Sequence, residues 1–66
     1  MYINLRCEMN RKNKKQKDLA NCLGITEIQL GRKIKGLAEF KLNEAFAIQK
    51  FLNSSLSIDE LFKFVK

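Results

Sequence analysis

Residues 16–35 read QKDLANCLGITEIQLGRKIK, two short amphipathic stretches parted by a glycine, and their spacing decides what this chain can be. Over 16–23, Leu19, Ala20 and Leu23 share one helical face, and Asp18 sits in the first turn, where negative charge suits the helix dipole. Gly24 then supplies a stop. Thr26 followed by Gln29 is a T-x-x-Q capping box, and Ile25 and Leu30 are placed as the hydrophobic staple around it, so a second helix over 26–35 must begin there. Between Leu23 and the cap at Thr26 lie only Gly24 and Ile25, which forces the two helices to cross sharply in a helix-turn-helix corner. On the second helix Leu30 and Ile34 point to one side. Ile28, Arg32 and Lys35 point to the other, with Gly31 beside them.

Outward from this corner the chain contains no proline, and Asn13, Gly36 and the Asn53-Ser54-Ser55 cluster serve as punctuation. They mark further segments near 4–13, 42–52 and 57–65. Asn4 is the expected N-cap of the first, which buries Leu5 and Met9 before Asn13 takes a left-handed position. Leu42, Ala45, Phe46, Ile48 and Leu52 form the apolar stripe of the fourth. Ser57 and Glu60 make an S-x-x-E box for the fifth, with Leu56 and Leu61 as its staple and Leu61, Phe62 and Val65 facing inward. No alternating β-branched pattern competes. The expected fold class is all-α, a compact five-helix domain over 1–66.

A chain of 66 residues has room for one domain, and 45% apolar residues suffice for a small core without disulfides or metal. No apolar run approaches the roughly 20 residues of a membrane span, and no leader layout opens the chain, so a cytoplasmic location is expected. With no histidine, and with Cys7 and Cys22 in no CxxC pair, neither a metal site nor nucleophilic catalysis is expected. No cofactor or small-molecule substrate is implied. The spacing of Cys7 and Cys22 allows a disulfide, but in a reducing compartment the two thiols are expected to act as small apolar fillers.

Thirteen basic against seven acidic residues give +6, and the excess is local. Residues 11–41 hold nine Lys/Arg against three acids, whereas Arg6 cancels Glu8 at the front and 42–66 is balanced. Such polarity suits a polyanion, or equally an ordinary solvated surface. The outward stripe of residues 26–35 has the chemistry of major-groove reading. Arg32 can pair bidentately with guanine O6 and N7, Ile28 can cover a thymine methyl, and Glu27 can accept from cytosine N4. Thr26 and Gln29 are accounted for by capping, with any DNA contact secondary. Gly31 costs about 1 kcal/mol relative to alanine in a helix interior, so either the DNA or a neighbouring helix must come close there.

Residues 16–35 resemble the twenty-residue motif of the Cro/C1 (XRE-like, lambda-repressor-like) helix-turn-helix family. Gln16 opening the first helix, Leu19 followed by Ala20, Gly24 in the turn, and Ile25 and Leu30 as packing positions carry the likeness. LNEAFAIQKFL and LSIDELF look like the family's fourth and fifth helices. In style the chain is similar to small phage and mobile-element regulators. The resemblance implies a transcriptional regulator binding operator DNA, often as a dimer. It implies phosphate grips at Gln16 and Lys17, DNA contacts from Thr26, Glu27, Ile28 and Arg32, and backbone contacts from Lys35 and Lys41. Gln29 is counted with Gln16, Lys17, Thr26, Lys35 and Lys41 among the expected backbone contacts. A homodimer would form through the fifth helix or its edge, with Phe64 and Val65 as candidates, and would set two reading helices roughly 34 Å apart. Lys14, Lys15 and Lys41 depart from the family's usual residues. Because lysine is a poor N-cap, the second and fourth helices should fray in the free protein. A protein-interaction module on the same fold and non-specific nucleic-acid coating are the competing readings.

Overall fold

Five α-helices organise residues 1–65, the part of the chain that the computed structural model describes. They are α1 (Ile3–Arg11), α2 (Gln16–Leu23), α3 (Glu27–Ile34), α4 (Leu42–Leu52) and α5 (Ile58–Leu61), with no strand among the described residues. The radius of gyration is 10.5 Å, close to the roughly 11 Å expected of a folded chain this long. No helix is long and apolar enough to cross a membrane among the described residues. α2 packs against both α3 and α4, and α5 packs against α1 and α4. Leu5, Leu19, Leu30, Ile48, Leu52 and Leu61, drawn from all five helices, are fully buried where these faces meet.

The end of α2 and the start of α3 fall where their capping residues predict. Gly24 closes α2 in the left-handed region at φ +70°, a conformation that costs an L side chain roughly 1–2 kcal/mol. Thr26 caps α3 reciprocally: its Oγ1 accepts from the Gln29 N–H at 3.1 Å, and the Gln29 Oε1 accepts from the Thr26 N–H at 3.1 Å. The lysine caps of α2 and α4 lack an acceptor, so only the return half of each box is made. Asp18 Oδ2 accepts from the Lys15 N–H and Glu44 Oε1 from the Lys41 N–H, both at 2.9 Å.

Four expectations need correction. α1 starts at Ile3 after Tyr2, and Asn4 is not its cap; the Asn4 amide instead donates to the Glu60 carbonyl at 2.7 Å, binding α1 to α5. On α4, Ala45, Ile48 and Leu52 are buried, but Leu42 and Phe46 are 66% and 52% exposed. At about 100° per residue the five apolar side chains span too wide an arc for one buried face. α5 is a single turn, capped by Ser57, whose Oγ accepts from the Glu60 N–H at 3.2 Å; the chain then leaves the helix. Val65 is therefore exposed, its N–H donating to the Met1 carbonyl at 2.8 Å while the Met1 amino group donates to the Val65 carbonyl at 2.6 Å. Cys7 and Cys22 are exposed free thiols, not fillers.

The paired ends carry an aromatic cluster. Tyr2 meets Phe40, Phe62 and Phe64 edge-on, with ring centres 5.4, 6.1 and 5.0 Å away. Phe64 also covers Gly36, which follows α3 at φ +84°; a Cβ there would lie 2.8 Å from the ring. Gly36→Ala should therefore cost roughly 1–2 kcal/mol in strain, read as a lowered urea midpoint, and an unchanged midpoint would remove this account of the turn.

A second polar tie joins α3 to α4. Lys33 Nζ lies 2.6 Å from Glu44 Oε1, both side chains nearly buried, and also donates to the Glu39 carbonyl at 3.3 Å. Burial pushes the Glu44 carboxyl up, but the hydrogen bonds from Lys33 and the Lys41 N–H, with the charges of both lysines, outweigh it. Its pKa lies below the ordinary 4.5. The folded state thus binds this proton more weakly than the unfolded one. The resulting stabilisation is complete above the ordinary value and is lost as pH falls through the depressed one. Thermal melts taken down through the carboxylate range should show this loss, and Glu44→Gln should flatten it.

Candidate nucleic-acid interface

The nine residues singled out from the sequence are all exposed. Gln16 and Lys17 open α2, Thr26 caps α3, and Lys35 and Lys41 flank the loop from α3 to α4. Because Leu30 and Ile34 anchor α3 inward, the opposite face is turned to solvent. Ile28 is 78% exposed there, which excludes a core role, and Arg32 and Lys35 lie along the same face.

Glu27 stands apart. It is about 140° around the helix from Arg32, so its reach to a base edge depends on its place at the helix tip rather than on the shared stripe. Thr26 and Gln29 spend their side chains on each other, as the capping reading requires. Gln29, Arg32 and Lys41 are brought together around a cleft of about 320 Å³, backed by the Lys33–Glu44 pair. Among the described residues Lys17, Arg32, Lys35 and Lys41 enter no side-chain ion pair, so their charges stay available.

Gly31 abuts α2: a Cβ built on it would lie 3.8 Å from the Gln16 Oε1, an ordinary contact, and no other atom crowds it. Helix packing therefore does not demand glycine here. Gly31→Ala should stabilise the free protein by roughly 0.5–1 kcal/mol through helix propensity, while weakening duplex binding if a duplex approaches this face. Melting curves and binding isotherms on one variant would thus move in opposite senses; a duplex affinity unchanged by the methyl group would exclude close approach.

Two features were missed in the sequence. Lys33 counted as free charge in the basic segment, but it is held by Glu44, eleven positions away, and nothing local signals that pairing. Glu8 counted against Arg6, but it is 2% exposed, accepting from Ser54 Oγ at 2.8 Å with Arg11 Nη1 at 3.4 Å. Among the described residues no group of three or more metal-ligating side chains forms. No family model, no curated protein and no solved structure matches the chain.

Proposed function

We propose that this chain is a helix-turn-helix regulator of the Cro/C1 type that binds a specific double-stranded operator, with α3 lying in the major groove. One observation carries the reading. α3 is fixed from behind by fully buried Leu30 and presents Ile28, Arg32 and Lys35 on an open face. An apolar group, a guanidinium and an ammonium in one stripe match a thymine methyl, a guanine edge and a phosphate. Exposed Lys17 at the start of α2 and Lys41 before α4, with Lys35, supply backbone contacts. Lysine caps on α2 and α4 fit the same picture, since a phosphate at the helix end would favour both the dipole and the ammonium.

Sequences selected from a random duplex library test the reading. A chain that enriches a motif, and prefers it over random duplex at every salt concentration, supports it. Binding that follows charge alone would leave only non-specific coating.

Leu42 and Phe46, one turn apart on α4 and both more than half exposed, favour a second role for the same fold in contacting protein. Leu42 also lines an apolar groove of about 410 Å³ together with Tyr2, Phe40 and Phe62. A homodimer on DNA would have this surface to use as well as the α5 edge, where Phe64 is already engaged with Tyr2 and Gly36.

A further inference from the structure

Lys33 stands next to Arg32 on α3, about 100° around the helix, and its charge is spent inside the protein. Its Nζ lies 2.6 Å from Glu44 Oε1 and donates to the Glu39 carbonyl at 3.3 Å, with the Phe40 ring centre 6.0 Å away. The same Oε1 accepts from the Lys41 N–H at 2.9 Å. No backbone–backbone hydrogen bond reaches Ala38, Glu39 or Phe40 among the described residues. The polar hold on this part of the loop therefore passes through Lys33 and Glu44.

Glu44 is also the one carboxylate, among the described residues, that lines the cleft shared by Gln29, Arg32 and Lys41. Its hydrogen bonds to Lys33 and Lys41 both fall on Oε1, and Oε2 has no protein partner among the described residues. Arg32 is exposed and enters no ion pair there. A nearly buried ammonium at 2.6 Å outcompetes an exposed guanidinium, whose attraction is screened by solvent. Removing Lys33 would strip the carboxylate of its cation, a loss that a neighbouring cation relieves. Arg32 is the neighbour suited to it, since a guanidinium can take both carboxylate oxygens at once. That capture would use the N–H groups that a guanine edge requires.

We propose that Lys33 is a positioning residue for base reading: by holding the Glu44 carboxylate between α3 and α4, it keeps that charge off Arg32. The proposal rests on the duplex-binding reading and goes beyond it, because a nearly buried residue outside the exposed stripe then governs which bases are preferred.

Lys33→Met, alone and combined with Glu44→Gln, tests it. In titrations with selected and random duplex, Lys33→Met should lower the preference for the selected sequence by roughly 5- to 150-fold, the loss expected when the guanidinium is denied to guanine. Adding Glu44→Gln removes the competing charge while keeping an acceptor for the Lys41 N–H, and should restore most of the preference. A role confined to stability predicts otherwise: the urea midpoint would fall and the preference of the folded fraction would stay. The Arg32 side-chain Nε–H resonance of the free protein forms the second arm, which Lys33→Met should shift and added Glu44→Gln should return. Should Lys33→Met fail to fold, Lys33→Gln, which keeps a donor but no charge, gives the same two readings. Wild-type preference in the folded single variant, an unshifted Arg32 resonance, or a loss that Glu44→Gln does not relieve overturns the proposal. Should the wild type bind no duplex, the reading of α3 falls, while the Arg32 resonance still decides whether Lys33 keeps the carboxylate away.

Discussion

Leu30→Ala is expected to leave most of the chain unfolded at ordinary temperature. Leu30 is fully buried on the inner face of α3, where α3 meets α2 and the rest of the core. Truncation to alanine at such a site removes transfer free energy and leaves a cavity, about 2–5 kcal/mol together. A domain of 66 residues has only about 3–10 kcal/mol of stability in all, so the loss is comparable with the total. Far-ultraviolet circular dichroism with a urea titration measures it. A fully cooperative transition with the wild-type midpoint would show that α3 is not held by this contact. Ile28→Ala, two residues away on the outer face, is the control: the midpoint should stay within about 0.5 kcal/mol of wild type, while any thymine preference is lost.

Arg32→Ala should leave the fold intact and cost about 1–3 kcal/mol in operator binding, a loss of roughly 5- to 150-fold, with relaxed preference at one base position. The expectation follows from a guanidinium that is exposed, takes part in no ion pair among the described residues and stands on the open face of α3. Lys17→Ala should behave differently, weakening all duplexes alike and reducing the salt slope by about one unit. The contrast separates base reading from phosphate attraction. If Arg32→Ala leaves both affinity and preference unchanged, α3 does not read bases.

Local signals foretold local structure. Gly24, Thr26 with Gln29, and the Leu30/Ile34 spacing act within one or two helical turns, and the end of α2 and the start of α3 are where they place them. The exposed stripe of α3 was legible for the same reason, since burying one face of a short helix fixes the other. Distant partners were not legible. Asn4 has the chemistry of a cap, but the Glu60 carbonyl, 56 positions on, takes its amide. The end of α5 reads as helix until the pairing of Val65 with Met1 and the approach of Phe64 to Gly36 draw the chain away. Arg6 and Glu8 cancel on paper because charge counting ignores burial. Only the fold shows that one is turned to solvent and the other is enclosed.

Tyr2 is the only tyrosine of the chain, and there is no tryptophan. Its phenol ring touches aromatic groups from the loop after α3 and from the final residues. The protein thus carries one intrinsic optical label at the seam between its two termini and the loop that bears Lys41. Emission excited in the tyrosine band should change whenever that seam opens, so loop displacement on ligand binding can be followed without attaching a dye.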